Sequence, residues 1–308
     1  MRTVVIGLGI QGAKRLKFAG QDAVATVDPV AAKADHKKIQ DIPLDRYDAA
    51  LVCTPDDAKL SIVKHLLSAG KHVLVEKPLL ASNLDHLKEL RDLACAKKVA
   101  CYTAYNHRFE PHLVRVRELL SKDLLGPLHL VKFFYGNGTA RDVRQSTWRD
   151  RGAGVLADLG SHLLDLALFL FDKKDLKLEP WRLETFENHA FDYAILGSQG
   201  KPLFEFEMTL LSWKNTFRVD IFGERGSIHV NGLCKWGPSV LEVRKRALPS
   251  GRPSEESETL ECPDPTWEKE YAYFKKLCVS GESNLDNDIW IQSTLTGLEE
   301  RTAPKVLL

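Results

Sequence analysis

The β-branched run Thr3-Val4-Val5-Ile6 leads directly into Gly7-Leu8-Gly9-Ile10-Gln11-Gly12, and a helical stretch follows from Ala13 to Gly20. This junction constrains the fold more than any other feature. A G-x-G-x-x-G string is weak evidence alone, but between a strand and a helix each glycine acquires a task. The first makes a tight turn, the second lets a pyrophosphate approach the backbone, and the third lets helix and strand pack closely. The helix N-terminus offers unpaired N–H groups and a positive dipole end to phosphates. A ribose-binding acid is expected about 20 residues on, at the end of the second strand. Asp28 stands there, after Ala23 to Val27.

Further strands recur in the same style. Ala49 to Cys53 ends at Thr54-Pro55, His72 to Val75 ends at Glu76-Lys77-Pro78, and Val99 to Thr103 comes next. Helical spacing separates them, in Ile62, Val63, Leu66 and Leu67 and again in Leu84, Leu87, Leu90 and Leu93. Continuously apolar strands alternating with helices are the signature of a parallel sheet covered on both faces. Residues 1–106 therefore read as a doubly wound, Rossmann-type α/β domain.

The pattern then changes. A helix over Phe109 to Leu120, a strand over Leu128 to Tyr135 and a long helix over Val155 to Phe171 precede a series of strands. These are Phe191–Leu196, Leu203–Leu211, Phe217–Phe222, Ser227–Val230 and Val240–Arg246. Short turns such as Gly223-Glu224-Arg225-Gly226 join them, which makes the sheet largely antiparallel. Pro249 to Pro265 reads as a surface loop, and helices over Trp267–Val279 and Asp286–Glu300 close the chain. Residues 107–308 thus read as an α+β domain for substrate binding and oligomerisation. In it Phe204, Phe206 and Met208 share one strand face, as do Phe217, Val219 and Ile221. One apolar set is expected on the core helices, and the opposite sheet face either in a partner, giving a homodimer or homotetramer, or polar and exposed in a monomer.

Composition narrows the partners. Lys+Arg number 43 against 42 Asp+Glu, a net charge of +1, so the basic excess that nucleic-acid or membrane-surface binding requires is missing. The longest apolar run, Leu163 to Phe171, contains Asp165 and is too short to span a bilayer. Six dispersed cysteines without a C-x-x-C spacing fit reduced thiols in a cytoplasmic protein. A small-molecule ligand is the remaining expectation.

Two further clusters carry chemistry. Lys77 closes a parallel strand at the sheet edge where α/β ligands bind, and Pro78 constrains its backbone. Alone, this is equally a strand-ending turn with a solvated lysine. With a dinucleotide laid across the sheet, the ammonium would lie near the nicotinamide and could polarise a substrate oxygen, with Glu76 orienting it. Asp158, His162 and Asp165 are spaced i, i+4, i+7 on one face of the predicted helix. They fit a polar cleft, or a solvated face with a structural His–Asp pair. A metal site is disfavoured because no third ligand is evident. Asp28 favours NAD over NADP, since a carboxylate repels a 2′-phosphate. Lys33, Lys37 and Lys38 nearby keep NADP open.

Taken together these stretches resemble the glucose–fructose oxidoreductase / inositol dehydrogenase family, written Gfo/Idh/MocA. The resemblance rests on Gly7-x-Gly9-x-x-Gly12, Thr54-Pro55 and Ala69-Gly70-Lys71-His72-Val73-Leu74-Val75-Glu76-Lys77-Pro78. It continues through Tyr105-Asn106-His107-Arg108-Phe109-x-Pro111, Trp148-Arg149 and Asp158-x-Gly160-x-His162-x-x-Asp165. It implies an NAD(P)-dependent dehydrogenase or reductase acting on a hydroxyl or carbonyl carbon of a sugar, polyol or nucleotide sugar. Lys77, His162 and Asp158 would then be catalytic, with His162 the general acid/base. Gly7, Gly9, Ile10, Gln11, Gly12, Asp28, Thr54, Pro55, Glu76 and Lys77 would line the cofactor. Asn106, Arg108, Trp148, Arg149, Asp158 and His162 would line the substrate, although Arg108 serves equally as an interdomain salt bridge and Trp148 equally as packing. One departure stands out: Lys59 replaces a histidine common in the family about five residues past Thr-Pro. A non-catalytic dinucleotide-binding regulator and a reductase of a non-sugar substrate are the alternatives.

Overall fold

A computed structural model describes residues 1–146 and 149–302. The chain divides into two compact units, Met1–Asn106 with Thr266–Gln292, and His107–Pro265 with Ser293–Leu308.

In the first unit, five parallel strands alternate with helices: β1 (Thr3–Ile6), α1 (Ile10–Ala19), β2 (Ala23–Val27), β3 (Ala49–Val52), α2 (Asp56–Ser68), β4 (His72–Glu76), α3 (Leu84–Lys97) and β5 (Cys101–Ala104). The sheet order is β2-β1-β3-β4-β5. The order reverses beside β1, so the loops after β1 and β3 part there and leave the crevice where doubly wound sheets bind ligands. Strands β1, β3, β4 and β5 are almost wholly buried, which is why they read as unbroken apolar runs.

The second unit opens with α4 (Pro111–Ser121), β6 (Leu128–Gly136) and the short α5 (Ala140–Arg144). A π-helical turn over Leu156–Gly160 then enters α6 (Ser161–Phe171). Strands β7 (Leu178–Glu184), β8 (Tyr193–Ser198), β9 (Leu203–Thr209), β10 (Thr216–Gly223), β11 (Gly226–Asn231), β12 (Ser239–Lys245) and β13 (Ser254–Leu260) complete an eight-stranded sheet. Its order is β13-β12-β11-β10-β6-β9-β8-β7, antiparallel except for the parallel pair β6–β9.

Four expectations are corrected. First, the chain beyond 107 is not one continuous domain. Helix α7 (Thr266–Ser280) and the start of α8 (Leu285–Thr302) belong to the first unit. Tyr271 there bonds Thr3, and Arg15 lies over the Trp267 ring. An amphipathic stripe reads the same whichever sheet it covers. Second, the expected loop over 249–265 contains β13. Its Ser/Glu sequence is almost fully exposed and gives no strand signal. What orders it is the ladder to β12, reinforced by Arg244–Glu255 and Lys245–Glu256 ion pairs. Third, the long predicted helix begins as the π-turn rather than as regular α-helix. Fourth, both apolar sets of the sheet lie on the same face. Phe217 pairs with Tyr135 and Tyr135 with Met208, while Val219 pairs with Phe133 and Phe133 with Phe206. Phe133 and Phe204 meet Phe171 of α6 edge-on. The opposite face carries Lys132–Glu205 and Arg218–Asp220 ion pairs beside an apolar row in which Leu130 pairs with Phe222 and with Leu203.

Candidate functional site

In the first unit the glycine loop is set by close packing. A Cβ on Gly12 would meet the Gly7 carbonyl oxygen at 1.8 Å, and one on Gly7, at φ +88°, would meet the Cys53 carbonyl oxygen at 2.6 Å. Gly9 differs: a Cβ there would meet nothing within 4 Å. Its side faces the open space before α1, where the first helical N–H groups point, and that is the room a pyrophosphate requires. Ile10 is exposed at the same edge. Thr54, after β3, holds a buried hydroxyl oxygen that lacks a hydrogen-bond partner among the described residues. An open cradle and an orphaned hydroxyl at adjoining strand ends fit a dinucleotide.

Asp28 has a task that sequence reasoning missed. Its Oδ2 accepts the Leu8 N–H at 2.7 Å, while Oδ1 accepts those of Val30 and Ala31 at 2.9 and 2.8 Å. These donors, Ala31 foremost, hold the carboxyl below its usual range. The carboxylate thereby pins the glycine loop to the end of β2. Three of about four acceptor positions are filled, leaving one open.

The Glu76 carboxylate accepts Arg15 Nε of α1 at 2.6 Å, so it is engaged by α1 rather than reserved for Lys77. Arg15, 2% exposed, also pairs with Glu270 of α7 at 2.7 Å. Burial opposes the guanidinium charge, but Glu76 and Glu270 more than offset it, and the pKa rises. Asn106 is likewise engaged within this unit, donating to Thr266 Oγ1 at 3.0 Å.

In the second unit the motif on the π-turn and α6 is sorted among three partners. Asp158 pairs with Arg149 Nη2 at 3.0 Å, which brings two predicted substrate residues together. Asp165 is wholly buried and accepts both Nε and Nη2 of Arg108 at 2.6 Å. The Nε/Nη2 edge of Arg108 thus makes an ion pair within this unit. Burial pushes the Asp165 carboxyl up, and Arg108 counteracts it. His162 stacks on His107, with centroids 4.2 Å apart. Tyr135 stands edge-on to His162 at 5.9 Å, and Trp236 lies 5.5 Å from Tyr135. Burial, followed by the charge of Asp158, raises the Tyr135 phenol pKa. His107, Tyr135 and Trp236 were missed as site residues. His107 had a signal, standing inside the Asn106-x-Arg108 motif. Trp148 lies outside the described residues.

The π-turn follows from local packing. Gly154, at φ +52°, approaches the Phe191 backbone, and a Cβ on Gly160 would meet Met208 Sδ at 2.9 Å. Such turns are rare and recur at functional sites.

The fold and the glycine cradle define an NAD-binding oxidoreductase class, and residues 1–105 match a family model described as an oxidoreductase family with an NAD-binding Rossmann fold. Residues 113–229 match the Gfo/Idh/MocA C-terminal domain. The chain belongs to the Gfo/Idh/MocA family. Among its relatives, inositol 2-dehydrogenase of Rhizobium meliloti is 27% identical over 160 residues, covering 50% of this chain and 42% of its own. Glucose-6-phosphate 3-dehydrogenase of Bacillus subtilis is 28% identical over 134 residues, 42% of this chain and 38% of its own. The chain spans about a third to a half of the length of the curated relatives it matches. A structure of levoglucosan dehydrogenase in complex with NADH superposes with a TM-score of 0.83 at 19% identity, over 97% of this chain and 96% of its own. That last likeness is one of fold. Among the described residues, no helix is long and apolar enough to cross a membrane.

Proposed function

We propose that this chain is a dehydrogenase or reductase that moves a hydride between a nicotinamide dinucleotide and a hydroxyl-bearing carbon of a sugar, polyol or nucleotide sugar. The observation that carries the reading is the placement of Asp158 on the π-turn and His162 at the start of α6, braced by Arg149 and His107 respectively. A bound nicotinamide would supply the hydride acceptor or donor. His162 takes the hydroxyl proton as the carbon loses hydride and returns it in the reverse direction, a task suited to imidazole near neutrality. Asp158, held by Arg149, accepts a hydrogen bond from a substrate hydroxyl. Lys77, at the carboxyl end of β4, donates to the reacting oxygen and stabilises its negative charge.

NAD is the preferred cofactor in this reading. Asp28 keeps its negative charge and one acceptor position for the adenosine ribose. Lys37, a candidate for a 2′-phosphate, instead donates to the Ala31 carbonyl at 3.0 Å. Sugar-handling relatives such as inositol 2-dehydrogenase support the substrate class. Homodimers or homotetramers would form through the opposite face of the larger sheet, where Phe222, Leu130 and Leu203 lie beside the ion pairs, and light scattering at monomer mass would overturn that assignment. A cytoplasmic location is part of this proposal, supported by six dispersed cysteines without a C-x-x-C spacing.

The decisive experiment is a nicotinamide-fluorescence screen with NAD(H) and NADP(H) against sugars, polyols and nucleotide sugars. Turnover on one of these classes is expected. Dinucleotide binding with no turnover on any of them would replace the enzyme with a non-catalytic regulator.

A further inference from the structure

Lys59 is a buried cation one turn into α2, 4% exposed, among the buried apolar positions Val63, Leu66 and Leu67 of the same helix. An ammonium has three hydrogens and no acceptor. That of Lys59 lies 2.6 Å from Asp56 Oδ1, 2.9 Å from the Pro78 carbonyl oxygen and 3.5 Å from the Lys77 carbonyl oxygen. Withdrawing an ammonium from water costs several kcal/mol unless its partners are well placed. An apolar side chain would fill the position without that cost, so packing alone does not account for a lysine.

The backbone it holds is in need of anchors. The β4 ladder ends at Glu76, paired with Ala104, and Lys77 is the first residue beyond it. Pro78 has no N–H to donate, so the turn has to be fixed through its carbonyls. Lys59 binds those at 77 and 78. Three residues on, Gln292 closes the segment by accepting the Ala81 N–H at 2.8 Å and donating to its carbonyl at 2.7 Å. Lys59 thus ties the segment after β3 to the segment after β4, at adjoining carboxyl ends of the sheet.

We infer that Lys59 is a positioning residue: by holding the carbonyls of Lys77 and Pro78, it fixes the backbone from which the Lys77 side chain is presented to the substrate. Its own ammonium is buried and engaged by these three oxygens, so it acts through Lys77 rather than on substrate. The inference rests on the proposed role of Lys77 in the chemistry.

The test uses the full chain as wild type, Lys59→Met, Lys59→Arg and Lys77→Met. Hydrogen exchange of the peptide spanning 76–81 reads the anchor without any substrate. In Lys59→Met its amides should exchange about fivefold or more faster, by local opening. On the sugar returned by the screen, kcat should fall about 10- to 100-fold, the usual cost of a misplacement near 1 Å. The Kd for NADH, followed by fluorescence, should change less than about twofold, because the glycine cradle is intact. Lys59→Arg should restore most of both losses. Unchanged exchange in folded Lys59→Met overturns the inference, and so does faster exchange with unchanged kcat, which would make the lysine merely structural. Near-normal turnover by Lys77→Met would overturn the role of Lys77 instead, while the exchange result still reports on the anchor. If Lys59→Met does not fold, Asp56→Asn weakens the same anchor from a half-exposed position and is judged by the same two measurements.

Discussion

The imidazoles of His162 and His107 stack with their planes 17° apart, and both rings are buried. His107 is the residue just past the first unit's boundary at Asn106, and His162 lies one turn beyond Asp158 in the Asp158-x-Gly160-x-His162 motif. A stacked partner on one side and Tyr135 edge-on at another limit the ring to few orientations. That is what a general base must have before its proton affinity matters.

His162→Ala should therefore lower turnover by about 10² to 10⁴, the range for loss of a positioned acid/base. Dinucleotide affinity should be unchanged, because the glycine cradle belongs to the first unit. His107→Leu keeps bulk but loses the stack, and should cost about 0.5–1.5 kcal/mol of stability with a smaller loss of kcat. Steady-state kinetics, NADH titration and urea unfolding on the same preparations check all three outcomes. Near-normal turnover in His162→Ala would sink the assignment.

Asp28→Ala should weaken discrimination against NADP by about tenfold, as the repulsion of a 2′-phosphate is removed. It should also loosen the glycine loop, since Leu8 loses its acceptor. The pH behaviour follows from sign. The folded pKa of Asp28 lies below the ordinary carboxylate value, so its contribution is complete above about pH 4. It is lost only as pH falls further, through the depressed value. NADH affinity should accordingly show no Asp28-dependent decline between about pH 8 and 5. The ratio of kcat/KM for the two cofactors, and fluorescence titrations across pH, are the measurements. An unmoved cofactor ratio would remove Asp28 as the ribose ligand.

Arg108→Met should destabilise the chain by about 3–5 kcal/mol, because it strands the wholly buried Asp165 carboxylate. The double replacement Arg108→Met/Asp165→Leu should recover much of that loss, since two matched apolar groups leave no uncompensated charge. Denaturant unfolding of the wild type, the single and the double variant checks it. If the single variant is as stable as the wild type, the pair is not the anchor its geometry indicates.

How much of this was readable in advance depended on what each residue answers to. The strands β1, β3 and β4 show in the sequence because burial on both faces demands unbroken apolar runs, and Gly7 and Gly12 because backbone contact excludes a side chain. Lys77, His162 and Asp158 could be nominated by their place in motifs. Their surroundings could not, because pairing is a tertiary choice. Arg108 reads equally as a substrate contact or a salt bridge in the sequence, and only the fold shows Asp165 taking its Nε and Nη2. Lys59 registered only as a departure from a pattern. Its meaning came from two carbonyls 18 and 19 residues away. β13 was hidden because an exposed edge strand of Ser and Glu has no periodicity to read, and α7 because its apolar stripe names no sheet.

Glu76 and Lys77 are neighbours with opposite duties, and their variants should separate cleanly. Glu76→Ala leaves the almost fully buried Arg15 with Glu270 alone and should cost about 3–5 kcal/mol of stability. The loss comes through the joint between α1, β4 and α7, so any fall in activity should track the fraction unfolded. Lys77→Met removes a half-buried ammonium beyond the last ladder pair and should leave the unfolding midpoint within about 2 °C of the wild type. Its kcat/KM should drop by at least about 10², as for loss of an oxyanion-stabilising donor, with NADH affinity retained. Thermal unfolding followed by kinetics at a temperature where both variants are folded makes the comparison. If folded Glu76→Ala loses as much turnover as Lys77→Met, then the carboxylate serves the chemistry and the division of duties between Glu76 and Lys77 is wrong.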